Sequence, residues 1–210
     1  MSKETAHQLG TPTSSLSGWA ELLKQNMPGS PLPGELSRDI ARLEKIADRF
    51  SKIGSQPELK EESLADVVAV SIDYMKSRSG SRVEFEIDDK TNGSLLVPIN
   101  ISLFEWVLEN LVRNSLDDMN GIGKISIVIS YANRMGIIDV SDSGRGIPKS
   151  AWKNIFKPGY TTKQRGWGLG LSLARRIVEM YHGGKIFVRH SDPEQGTCIR
   201  ILLPAAAHQG

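Results

Sequence analysis

From Lys3 to Gln25 the apolar residues Ala6, Leu9, Leu16, Trp19, Leu22 and Leu23 recur at helical spacing. The stripe runs into Asn26-Met27-Pro28-Gly29-Ser30-Pro31-Leu32-Pro33-Gly34, read as a breaker between helices. A second helix is predicted from about Glu35 to Ile53, with Leu36, Ile40, Leu43, Ile46, Ala47, Phe50 and Ile53 close to a heptad seam. Two helices joined by a short loop make an antiparallel hairpin, and a lone hairpin leaves its apolar stripe uncovered. Pairing with a second copy as a four-helix bundle covers it, so the pattern predicts a homodimer.

Gly54-Ser55-Gln56-Pro57 reads as a linker, dividing a helical hairpin at 1–55 from a second domain at 56–210. In that domain the periodicity predicts helices at 63–79, 101–119 and 169–181. Strands are predicted at 83–88, 94–98, 124–130, 136–142, 185–189 and 196–203, joined by Gly-rich turns. Helices interleaved with hairpin-connected strands imply an α/β two-layer sandwich, helices on one mixed sheet. The tail Ala205–Gly210 has little to pack and is expected to fray.

Composition narrows this picture without redirecting it. A length of 210 residues with 39% apolar content suits a soluble protein of one sizeable and one smaller domain. Lysine and arginine exceed the acids by 26 to 24 and are scattered, which gives no support to nucleic-acid binding. The single cysteine, Cys198, rules out an internal disulfide framework, reads as a small buried hydrophobe in a strand, and fits a reducing, cytoplasmic setting. No apolar run approaches the roughly 18 residues of a membrane span, so no membrane contact is expected of this stretch.

The chemistry begins on the helix predicted at 101–119. Asn110, Asn114 and Asp117 fall on one face, while Leu108, Leu111 and Val112 point towards the core. Buried asparagines without partners are costly, so that face meets water, a metal or a ligand, and amide oxygens suit Mg²⁺. Taken alone, the feature is better explained by a solvated helix surface. Asp142-Ser143-Gly144-Arg145-Gly146 follows a predicted strand. It is either a plain turn or a fixed carboxylate that accepts from an amino group such as that of adenine. Gly166-Trp167-Gly168-Leu169-Gly170 runs into a helix, where unpaired N–H groups favour phosphate.

In this order the segments resemble the nucleotide-binding domain shared by histidine kinases, DNA gyrase and MutL, the GHKL (Bergerat) type. Val107–Asn114 is similar to its N box, Asp142–Gly146 to its first glycine box, Ile155-Phe156 to its F box and Gly166–Gly170 to its second glycine box. The resemblance covers about residues 60–204. It implies an ATP-binding α/β sandwich, with Mg²⁺ held by Asn114 and supported by Asn110, and adenine recognised by Asp142. It also implies a lid over about 144–170, with Gly144, Gly146, Gly166, Gly168 and Gly170 around the phosphates. Lys163 in that lid is either a phosphate contact or a solvated loop lysine, and Thr197 matches a position that frames the adenine end.

His7-Gln8-Leu9-Gly10-Thr11-Pro12 resembles the H box of histidine kinases. That resemblance implies a sensor histidine kinase core: His7 attacks the γ-phosphoryl of ATP, and the group passes to an aspartate of a response-regulator receiver domain. Gln8 stands where the family commonly has Glu or Asp. It can orient the imidazole but has no accessible protonation step. Either the autokinase is slower or the protein is biased towards removing phosphate from its partner, for which Thr11 matches a water-placing position. Gly10 stands where Arg or Lys is frequent. Only six residues precede His7, so sensor and membrane-anchoring segments are expected upstream in a longer parent protein.

Other classes fit less well. A gyrase-like or MutL-like clamp needs a water-activating Glu where this chain has Asn110, and Glu109 lies about 100° round the helix. A serine kinase of the anti-sigma-factor type would not need the hairpin. An ATP-binding scaffold without chemistry is the alternative that Gln8 keeps open. His182 is expected at a helix C-terminus closed by glycine. His190, His208 and the Arg175-Arg176 pair are expected in solvent.

Overall fold

A computed structural model describes residues 3–27, 30–37, 39–41, 57–162, 168–193 and 195–206. Two compact units divide the chain, Met1–Pro57 and Glu58–Gly210. Among the described residues no helix is long and apolar enough to cross a membrane.

In the first unit, α1 spans Lys3–Asn26. It closes where the Asn26 side-chain amide donates to the Leu22 carbonyl at 2.8 Å, using one of the carbonyls that a helix end leaves unpaired. Helix resumes at 32–37 and 39–41, earlier than the predicted start at Glu35. Pro33 and Gly34, read from the sequence as breakers, lie within its first turn, where the N–H that proline lacks would have no intrahelical partner. The Ser30 hydroxyl accepts from the Leu32 N–H at 3.3 Å at that start. Ala20 and Ile40 are buried, whereas Leu16, Trp19, Leu22 and Leu23 of α1 are exposed. The proposed seam at Leu43, Ile46, Ala47, Phe50 and Ile53 lies outside the described residues.

The second unit runs β1 (Lys60–Ser63), α2 (Leu64–Lys76), β2 (Val83–Asp89), β3 (Leu96–Ile99), α3 (Ile101–Asp118), β4 (Gly123–Ala132) and β5 (Met135–Asp142). After a short 3-10 turn come α4 (Gly170–Arg176), a π turn (Ile177–Tyr181), β6 (Lys185–Asp192) and β7 (Gly196–Pro204). The order β2-β4-β5-β7-β6 makes a five-stranded mixed sheet, with β2 parallel to β4 and the other pairs antiparallel. Alternation explains the layering: Ile125, Ile127 and Ile129 of β4 are buried along with Ile138 and Val140 of β5. They share a core with Val68 and Ile72 of α2, Phe104, Leu108 and Leu111 of α3, and Ala174 of α4.

The expected single sheet is corrected. β3 pairs with β1, which the sequence pattern missed, in a separate two-stranded ribbon. The Lys60–Ser63 segment is too charged to alternate, and only its partner defines it as a strand. The start of the tail is corrected as well: the Ala206 N–H donates to the Leu96 carbonyl at 3.0 Å and the Ala205 N–H to that of Arg134 at 3.1 Å, while 207–210 lie outside the described residues. Nor are all the turns glycine-rich, since the β4–β5 hairpin turns through Asn133 (φ 52°) and Arg134 (φ 63°).

The helix predicted at 169–181 changes character at Ile177, where bonding widens to the π pattern. His182 terminates it, buried rather than simply placed at a capped end. Its Nδ1–H donates to the Ile177 carbonyl at 2.8 Å, and its Nε2 accepts from the Asn100 N–H at 3.1 Å. A backbone N–H can only donate, so this arrangement selects the neutral Nδ1–H tautomer. Burial pushes the His182 pKa down, against a smaller opposing effect of the Ile177 bond.

Candidate nucleotide site

Asp142 ends β5, in register with Ile125 on one side and Thr197 on the other. Its carboxylate is held by three donors: Oδ1 accepts from the N–H groups of Gly144 at 2.9 Å and Thr197 at 3.3 Å. Oδ2 accepts from the Ser115 hydroxyl at 2.7 Å. Thr197 is buried, with its hydroxyl 2.9 Å from that of Ser191, and Ser191 in turn accepts from the Ile147 N–H at 2.7 Å. The glycine loop is thereby tied to the β6–β7 end of the sheet. Gly146 makes the approach possible: at φ 73° it has a conformation L side chains rarely adopt, and a Cβ there would run into the Asp192 carbonyl.

The asparagine face of α3 turns towards the second glycine box. The Asn110 side-chain N–H donates to the Trp106 carbonyl at 2.9 Å, which orients the amide oxygen the other way. That oxygen lies 2.8 Å from where a Cβ on Gly170 would sit, so the first residue of α4 packs directly on Asn110. Asn114 is half-buried one turn further along α3, and Leu108, Leu111 and Val112 are buried as expected. Asp118 meets the first glycine box: it accepts from the Arg145 N–H at 2.9 Å and from Arg145 Nε at 2.6 Å.

Beyond Ile147, the Trp152 indole N–H donates back to the Ile147 carbonyl at 2.9 Å, and Ile155 and Phe156 of the F box enter the core. Gly159 donates to the Gly168 carbonyl at 3.0 Å, joining the two ends of the intervening segment. Gly168 has φ 63°, and a Cβ on it would lie 2.6 Å from the Gly159 backbone, which explains glycine there. Lys163 and Gly166 lie outside the described residues. His7, Gln8 and Thr11 belong to α1, in a stretch whose side chains are also outside them.

Asn110, Asp142, Gly144, Gly146, Gly168, Gly170 and Thr197 thus lie around the C-terminal half of α3 and the strand ends beside it. Sequence reasoning missed Ser115, Asp118 and Ser191. Ser115 carried a signal, because it sits four residues after Leu111 on the core side, where a hydroxyl needs a partner. The amide oxygens of Asn110 and Asn114 are hard neutral donors that fit a magnesium ion otherwise ligated by water and phosphate.

Residues 99–207, about half of the chain, match the family described as histidine kinase-, DNA gyrase B-, and HSP90-like ATPase. Over 99% of its length the chain is 32% identical to sporulation kinase D of Bacillus subtilis, of which it covers 42%. It spans less than half the length of the curated relatives it matches. Among solved structures, the catalytic domain of histidine kinase ThkA is 30% identical with a TM-score of 0.64, over 70% of this chain and 96% of that one. ThkA in complex with the response regulator TrrA aligns at 23% identity and TM-score 0.64, over 99% of this chain and 61% of that one, a likeness of fold.

Proposed function

The chain belongs to the histidine kinase-, DNA gyrase B- and HSP90-like ATPase family, and from that membership we propose that it is the core of a sensor histidine kinase. It binds ATP, phosphorylates its own His7 and passes the phosphoryl group to an aspartate of a response-regulator receiver domain. The observation that carries the reading is the Asp142 carboxylate, held at a strand end by Ser115, Gly144 and Thr197 beside a glycine loop. Such a group is an acceptor fixed in advance for the amino group of adenine. Thr197 frames that end, while Gly144, Gly146, Gly166, Gly168 and Gly170 let backbone approach the phosphates, with Lys163 as a further phosphate contact.

Asn114, supported by Asn110, would hold Mg²⁺, which when bound would supply positive charge to offset the negative charge that develops on the phosphates during transfer. In the proposed step a nitrogen of neutral His7 attacks the γ-phosphorus in line. The bond from that phosphorus to the bridging oxygen breaks, ADP leaves with the electron pair, and the imidazolium loses its proton from the other nitrogen. Gln8 orients the ring but cannot take that proton, so it passes to solvent or phosphate oxygen. The same feature favours a second reading, a phosphatase-biased protein or ATP-binding scaffold, with Thr11 placing water.

A clamp-type ATPase is disfavoured by Asn110, whose amide donates to Trp106 and has no accessible basic form. The exposed α1 residues Leu16, Trp19 and Leu22 support a hairpin that pairs with a second copy. The complex of ThkA with TrrA supports a receiver domain as partner. No role in binding nucleic acid is proposed, and a cytoplasmic setting follows from the kinase reading.

Incubation with γ-labelled ATP and Mg²⁺ tests the proposal. Label should enter the chain, survive alkali and be lost in acid, as a phosphoramidate requires, and His7→Gln should abolish it. No incorporation, or acid-stable label that persists in His7→Gln, would overturn the kinase reading.

A further inference from the structure

Two buried serines sit on the helices of the second unit, and they behave differently. Ser71 of α2 turns its hydroxyl back to the Val67 carbonyl four residues earlier, at 2.7 Å, the default for a serine inside a helix. Ser115 of α3 is 6% exposed and donates instead across to Asp142 Oδ2, a residue on another element. Three residues on, Asp118 holds Arg145 through both its backbone N–H and its Nε. One turn of α3 therefore grips the loop on both sides of Gly144.

A carboxylate offers about four lone-pair positions. On Asp142, two on Oδ1 are used by Gly144 and Thr197, and one on Oδ2 by Ser115. The position left is on Oδ2, and its direction follows from where the Ser115 hydroxyl stands. It can only accept, so a ligand must present an N–H there. A purine with a 6-amino group satisfies it, while a 6-oxo purine sets oxygen against oxygen.

We propose that Ser115 is a positioning residue that sets the preference for a 6-amino over a 6-oxo purine by orienting the Asp142 carboxylate; this rests on the reading of Asp142 as the base acceptor. Without the hydroxyl, Oδ2 regains a second open position, water fills it, and the carboxylate is no longer held towards the base from the α3 side.

The test is calorimetric titration of the full chain with ADP and with IDP in Mg²⁺, in the parent, in Ser115→Ala and in Ser115→Cys. Cysteine keeps the buried space filled while offering only a weak donor, which guards against a packing defect in the alanine variant. The parent should prefer ADP. Both variants should bind ADP more weakly with IDP affinity nearly unchanged, narrowing the preference roughly tenfold, the scale of a lost hydrogen bond to a charged group. If the parent prefers ADP and the variants do so equally strongly, or lose both ligands in proportion, Ser115 is merely structural and the inference fails while the Asp142 reading stands. If the parent itself does not distinguish the two nucleotides, the Asp142 reading fails and takes the inference with it.

Discussion

Gln8 and Asp142 are single residues on which the proposed chemistry turns, one through a missing proton acceptor and one through a fixed one. Glutamine can hold an imidazole tautomer but never becomes its base, so deprotonation of His7 would limit transfer. Gln8→Glu should therefore accelerate autophosphorylation by up to roughly 10²-fold, with ATP affinity unchanged, as measured by initial rates of label incorporation. An unchanged or lower rate would mean that the proton does not leave through this position. The carboxylate of Asp139, by contrast, is spent on structure. Arg200 binds it through two nitrogens, each at 2.7 Å, and Arg189 adds a third at 2.6 Å, all within the sheet. Its bond to Asp139 also raises the Arg200 pKa, ahead of an opposing effect of burial. Two neighbouring acids on β5 thus have different fates because one lies within the sheet and the other at its end.

Among the elements, α3 does the most positioning, and its start is held twice. Asn100 caps its start by accepting from the Leu103 N–H at 3.2 Å, while the Asn100 N–H is bound to His182 at the end of the π turn. The ring of His182 also meets Phe104 edge-on, with centroids 6.0 Å apart. Because burial holds the His182 pKa below its ordinary 6.5, the unfolded chain takes up a proton before the folded one as pH falls. The contribution of this contact to stability should be intact above about pH 6.5 and decline as pH drops towards the folded pKa. Urea denaturation at pH 7.5 and 5.5 should show a larger loss in the parent than in His182→Gln, which has no such titration. Equal losses would show that other groups govern the acid limb.

At the scale of the whole molecule, the proposed pairing with a second copy rests on the apolar seam that the sequence predicts over Leu36–Ile53. Leu43→Lys or Phe50→Lys would place a charge in that seam and should shift the chain towards monomer in sedimentation. Two variants as dimeric as the parent would put the association elsewhere. What could be learned from the sequence alone follows from how far each signal reaches along the chain. Helical and strand periods, the Asn110–Asn114 spacing, the strand-end Asp142 and the glycine clusters are each written within a few residues, so the α/β sandwich and the outline of the candidate site were legible there. The pairing of Lys60–Ser63 with β3 was not, nor was the anchoring of Ala205 and Ala206, because a charged segment or a short tail becomes ordered only through the partner it meets. The same holds for Ser115 with Asp142, 27 residues apart, and for His182 with Asn100, 82 apart. A hydrogen bond closed over such distances has no local period to announce it, and only the tertiary fold, by bringing the two groups within about 3 Å, decides which buried polar atom answers which.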